Sequence, residues 1–80
     1  MKAKIHISLK SGVLDPQGKA IETALHSLGF DGAQNVRQGK LIELDLSTTD
    51  QAEAQKLAEQ MCQKLLANPV MESYTIDLVP

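Results

Sequence analysis

The helix-period and strand-period segments of this 80-residue chain are each apolar on one face only, so no element has two sides to bury and the stable outcome is two layers closed over one core. From Lys4 to Lys10, Ile5, Ile7 and Leu9 alternate with Lys4, His6, Ser8 and Lys10, the period-two pattern of a half-buried antiparallel strand. Ser11-Gly12 breaks it. Asp15 then offers an N-cap carboxylate and Pro16 a first helical position that needs no N–H. Ile21, Ala24, Leu25 and Leu28 form one stripe, Gly29 can take the left-handed stop conformation, and Phe30 folds back against the helix.

Asp31-Gly32 marks a turn, and a short strand around Gln34–Gln38 is expected to meet the strand Leu41–Ser47 in a hairpin turning at Gly39. In the second of these strands Ile42, Leu44 and Leu46 point one way. Thr48-Thr49-Asp50 followed by Glu53 has the form of a capping box. The helix it starts should bury Ala54, Leu57, Ala58, Met61 and Leu65, keep Gln55, Glu59, Gln63 and Lys64 wet, and stop at Asn68-Pro69. Met71 to Val79 alternates through Tyr74, Ile76 and Leu78 as a final strand. The expected order is β-α-β-β-α-β in one domain over residues 1–80, an α+β fold with both helices on one face of an antiparallel sheet. A ferredoxin-like plait has this order, as has a relative in which strands are shared between subunits. The pattern does not contain the strand order.

A chain of this size buries only about 60% of its unfolded surface, and ~0.05–0.15 kcal/mol per residue gives roughly 4–12 kcal/mol of stability, so self-association into a homodimer would help it. A catalytic and a regulatory domain do not both fit. Eight Lys plus Arg against ten Asp plus Glu give a net charge of −2, and the pI is about 5.5, which leaves no global basic field for nucleic acid or anionic lipid. One Tyr, one Phe and no Trp leave little to stack bases on, against a sheet-based RNA binder. A single cysteine makes no internal disulfide, and no N-terminal apolar run resembles a signal peptide or membrane span, so a cytoplasmic location is expected.

Chemistry is hard to place on these residues. Cys62 stands beside Met61, well past its helix's N-terminus and with no His in local reach, which reads as a buried structural cysteine. His6 and His26 share no metal-ligand spacing, and no Cys-x-x-Cys is present. Glu43, Asp45 and Asp77 read as charges on the wet faces of strands. The segment Gly12–Gly18 enters a helix, but the acidic cap Asp15 would repel a phosphate there. No catalytic, cofactor-binding or metal-ligating residue is expected. Periodicity leaves Lys10, Asp15, Gly18, Arg37, Gly39, Lys40, Asn68, Pro69, Glu72 and Tyr74 at or near element ends, where core packing does not demand them. They are candidates for a partner interface, although each has a local explanation: Asp15 caps, Gly18 admits a close neighbour, Asn68 finishes a helix. Arg37 and Lys40, flanking Gly39, could present a forked and a point-like cation to a partner.

At these residues the sequence resembles the PurS family, the small subunit of bacterial phosphoribosylformylglycinamidine (FGAM) synthase, nearly end to end. Lys10 to Ile21 looks like the family's opening signature, Val36-Arg37-Gln38-Gly39-Lys40 like its central one, and Cys62 to Val70 with Glu72 and Tyr74 like its closing one. Met71 replaces a more usual isoleucine, and Ser73 a commonly acidic residue. The resemblance implies a PurS-like plait dimerising through its sheets, and a non-catalytic part in the fourth step of de novo purine synthesis. It further implies two partners, the large synthetase subunit PurL, which holds ATP and Mg, and the glutaminase subunit PurQ, with no cofactor on this chain. On that reading charge reversal at Arg37 and Lys40 weakens assembly and glutamine-dependent activity while sparing the ammonia-dependent reaction. A competing class, the ACT-type ligand sensor, shares the element order and favours a glycine after strand one, which Gly12 supplies.

Overall fold

The computed structural model describes residues 1–80. Three strands, β1 (Lys2–Leu9), β2 (Gly39–Asp45) and β3 (Glu72–Val79), form one antiparallel sheet in the order β2-β1-β3. Ile5 of β1 lies opposite Ile42 on one side and Ile76 on the other. Helix α1 spans Pro16–Ser27 and α2 spans Gln51–Met61, continued by a π-helical turn over Cys62–Leu66. The class is the expected α+β with an antiparallel sheet.

The core is thin. On one face of β1, Ala3 packs with Ala54 of α2, and Ile5 and Ile7 pack with Cys62 of the π turn; these residues and Ala58 are all essentially buried, and small residues on the helix allow it to lie close to the sheet. The buried stripe of α2 and its π continuation therefore runs through Ala54, Ala58 and Cys62 at intervals of four. Of the five residues expected there, Leu57 is half-buried, Met61 sits at the rim, and Leu65 is 82% exposed. The π turn, closed by the Ala67 N–H on the Cys62 carbonyl at 3.0 Å, turns Ala67 into the core and leaves Leu65 outside. At the start of α2, Asp50 caps the Ala52 N–H, while Glu53 takes the Thr48 hydroxyl in place of the reciprocal bond of a capping box.

Two expectations fail, for related reasons. No strand forms at residues 34–38, and Gly39 is the first paired residue of β2, opposite Ser8, not a hairpin turn. Two of the segment's backbone donors are taken by side chains instead of a ladder, the Val36 N–H by Glu22 and the Gln38 N–H by Asp15, and Asn35 at φ +54° breaks the extended backbone within it. Without that fourth strand to carry the chain back across the sheet, α1 does not pack on it either. Gly18 is the one buried residue of α1, and the helix has at most marginal contact with the sheet and with α2. The radius of gyration is 15.9 Å, against about 12 Å for a compact chain of this length. A strand of ~26 Å followed end-on by a helix of ~18 Å accounts for most of the 48 Å long axis.

The C-terminal stop of α1 forms as its residues require. Gly29, at φ +94°, donates to the His26 carbonyl, and Phe30 donates to Leu25 at 2.9 Å, the paired bonds of a Schellman motif.

Candidate functional site

β1 ends, and β2 and β3 begin, at the same edge of the sheet, where Ser8 faces Gly39 and Leu9 faces Glu72. Three connecting segments converge there: residues 10–15, 34–38 and 67–71. Nine of the ten candidate residues lie in or beside this junction, and most of them bond to one another's segments.

Asp15 is the centre of the junction. Its side chain is 5% exposed; Oδ1 accepts the Gly18 N–H at 2.9 Å and Oδ2 the Gln38 N–H at 2.8 Å. The first of these is the expected N-cap bond. The second reaches 23 residues along the chain. The Arg37 guanidinium stands 4.0 Å from the same carboxylate, and its Nη2 donates to the carbonyls of Lys10 and Val13 at 3.0 Å each. The Gln38 and Gly18 N–H bonds, assisted by the Arg37 charge, hold the Asp15 carboxyl below its ordinary pKa against the opposing effect of burial. Gly18 is required by space: a Cβ there would run into the Val36 carbonyl and meet the Asp15 carboxylate at 2.8 Å. Gly39 has a similar reason, since a Cβ would stand 2.6 Å from the Ile7 carbonyl.

The third segment closes the other side. Lys10 Nζ donates to the Pro69 carbonyl at 2.9 Å, and Glu72 accepts the Asn68 N–H while returning its own N–H to the Asn68 carbonyl, both at 2.7 Å. The Asn68 side chain takes the Val70 N–H at 3.0 Å, so Asn68-Pro69 is a built turn. Lys40 Nζ lies 3.8 Å from Glu72 with more than half of its side chain exposed, a pair worth no more than ~1 kcal/mol. Asp15, Gln38, Lys40 and Glu72 border a polar hollow of about 230 Å³. Tyr74 stands apart, packed on the core beside Ile7.

Most of the candidates thus have intramolecular work, and Arg37 in particular is not a free cation. Lys40, more than half exposed, still offers its charge to solvent despite the weak pairing with Glu72. Reading the sequence missed Glu22, whose carboxylate accepts the Val36 N–H at 3.1 Å and is held below its ordinary pKa first by that bond. A signal for it existed: Asp15, Gly18 and Glu22 fall at spacings of three and four, on one side of α1.

Elsewhere, Cys62 is buried and its thiol pKa is raised by desolvation, no group of three His, Cys, Asp or Glu side chains converges, and no helix is long and apolar enough to cross a membrane. Two apolar surfaces are exposed. One is the α1 stripe, with Ile21 at 41% and Leu28 at 73% exposure and Phe30 beyond it at 60%. The other is a groove of about 410 Å³ between α2 and β2, lined by Leu44, Leu57, Met61, Leu65 and Leu66.

A three-stranded antiparallel sheet covered by one helix, with a second helix held clear of it by a polar junction, defines a small α+β domain with more apolar surface than it can bury alone. The family model described as PurS, phosphoribosylformylglycinamidine (FGAM) synthase, matches residues 2–80. The PurS subunit of Bacillus subtilis is 46% identical over 96% of this chain and 90% of its own length. The crystal structure of Methanocaldococcus jannaschii PurS superposes with a TM-score of 0.85 at 41% identity, covering 95% of this chain and 92% of that one. A chain of the PurLQS structure from Thermotoga maritima gives 0.87 at 32% identity, covering 95% and 93%. The chain belongs to the PurS family.

Proposed function

We propose that this chain is the non-catalytic small subunit of phosphoribosylformylglycinamidine synthase and acts in de novo purine biosynthesis in the cytoplasm. It joins the large, ATP-dependent synthetase subunit PurL to the glutaminase subunit PurQ, so that ammonia released from glutamine reaches formylglycinamide ribonucleotide. The observation that carries this reading is likeness over nearly the whole chain to PurS subunits, including one from a PurLQS assembly. On this proposal ATP and Mg belong to the large subunit, this chain binds neither, and it has no active site of its own. Ammonia released away from its acceptor would be protonated or lost, so the two active centres must be held in line, a task for a rigid adaptor. Family membership displaces the ACT-type reading.

The working form is proposed to be a homodimer. Both the α1 stripe and the α2–β2 groove are uncovered in a single chain, and the groove adjoins the position that a fourth strand would have taken. A second copy supplies a matching helix, and β2 and β3 each leave one row of backbone groups free for pairing through the sheets. At the other end Lys40 and the Asn68-Pro69 turn face solvent and are the proposed contacts with the larger subunits.

Reconstitution tests the proposal. Omitting this subunit should abolish glutamine-dependent synthesis while the synthetase retains its reaction with free ammonia, and Lys40→Glu should weaken the complex in the same selective way. Equal loss of both reactions, or full glutamine-dependent activity without the subunit, would overturn it. Lys40→Glu is a cleaner probe than charge reversal at Arg37, which would also break the ties to Lys10 and Val13.

A further inference from the structure

Helix α1 is exposed nearly all round, so hydrophobic packing within its own chain does not set its direction. The segments that join it to the sheet, residues 10–15 and 28–38, are long enough to allow many directions. What restrains them is polar. Asp15 ties the first turn of α1 to the Gln38 N–H at the entry to β2. Arg37, the next residue back, ties that entry to the carbonyls of Lys10 and Val13, just beyond the end of β1. Glu22 adds a third tie, to Val36, one turn up the helix. Gly18 allows the helix root to press against the Val36 carbonyl.

From this we infer that Asp15 and Arg37 act as a clamp that aims α1, making them positioning residues for subunit pairing. The inference rests on the dimer reading above. The lever arm makes aim matter: a helix of ~18 Å that swings by about 15° at its root moves its far end by about 5 Å, enough to carry Leu28 out of an apolar groove. A helix that swings freely must be ordered each time two copies meet. A helix already aimed does not.

Asp15→Asn is the discriminating variant. Asparagine remains a good N-cap through its single oxygen, but its amide nitrogen would face the Gln38 N–H, donor against donor, so the cap survives and the cross-tie is lost. Spin labels at Ser27→Cys on α1 and Thr75→Cys on β3, in a Cys62→Ala background and diluted into excess unlabelled protein, report the direction of the helix. Sedimentation reports the dimer dissociation constant. The clamped protein should give one narrow distance distribution. In Asp15→Asn the distribution should broaden at unchanged helix content, and the dissociation constant should rise roughly tenfold or more. Arg37→Met, which keeps the stem and removes the donors, should do the same, and serves if the first variant is poorly folded. Unchanged distances in both variants would overturn the clamp. Broadened distances with an unchanged dissociation constant would overturn its role in pairing. If the parent chain is monomeric at every concentration, the dimer reading fails, whatever the distances show.

Discussion

Oδ2 of Asp15 accepts the Gln38 N–H at 2.8 Å, joining the first turn of α1 to the residue immediately before β2. This bond replaces one rung of the strand expected at 34–38. It also makes a single buried carboxylate responsible for both a helix cap and a long-range crosslink.

That carboxylate should give the protein an acid-sensitive joint. Its folded pKa lies below the ordinary value of 3.8 because the Gln38 and Gly18 N–H groups and Arg37 favour the charged form. A lowered folded pKa contributes stability that is complete above the ordinary value and is lost as the pH falls through the folded one. Thermal unfolding measured from pH 6 to about 2 should therefore show Asp15→Asn less stable than the parent at neutral pH, with the difference shrinking below the ordinary value. A difference independent of pH would show that the charge is not what matters. Glu22, bonded to Val36, acts in the same direction.

Gly18 and Gly12 should respond very differently to alanine. At Gly18 a Cβ meets the Val36 backbone and the Asp15 carboxylate, whereas at Gly12 nothing lies within 4 Å. Urea denaturation should show a loss of about 1–3 kcal/mol for Gly18→Ala, the range for overpacking a tight site. Gly12→Ala should stay within about 0.5 kcal/mol of the parent.

The uncovered apolar surfaces give a charge-swap test of pairing. Leu28 and Leu65 are 73% and 82% exposed in the single chain, so neither Leu28→Lys nor Leu65→Glu should greatly alter the fold of a subunit. Each should weaken the dimer by roughly tenfold or more, the scale of a lost buried leucine contact. Mixing the two variants should recover part of the association, as read by sedimentation.

Cys62 should behave as core, not as chemistry. It is fully buried and its thiol pKa is pushed upward by desolvation and by Glu59. Native protein should label slowly with a thiol reagent at neutral pH and rapidly once unfolded. Cys62→Ser, which puts a hydroxyl against Ile5 and Ile7, should cost about 1–3 kcal/mol.

Much of the fold was legible in local chemistry. Asp15-Pro16 and Gly29 bracket α1 because a cap, a missing N–H and a left-handed residue act within a few positions of themselves. The alternation through Ile5 and Ile7 located β1 for the same reason. The signatures around Lys10, Arg37 and Asn68 pointed to the family, and nine of the ten residues singled out do gather at one end of the sheet. Their roles were less legible. By its position in the sequence Arg37 reads as a cation for a partner; its Nη2 also bonds the carbonyls of Lys10 and Val13, and nothing local to Arg37 announces those carbonyls.

Sequence alone determined where helices begin and end, which face of each strand is apolar, and to which family the chain belongs, because those properties depend on neighbours along the backbone. Only the tertiary structure decided that 34–38 is no strand, that α1 stands clear of the sheet, and that α2 buries alanines and leaves Leu65 outside. Each of these outcomes is a competition for the same backbone donor or apolar surface between groups far apart in the chain. Which competitor wins depends on how the three connecting segments close at the end of the sheet.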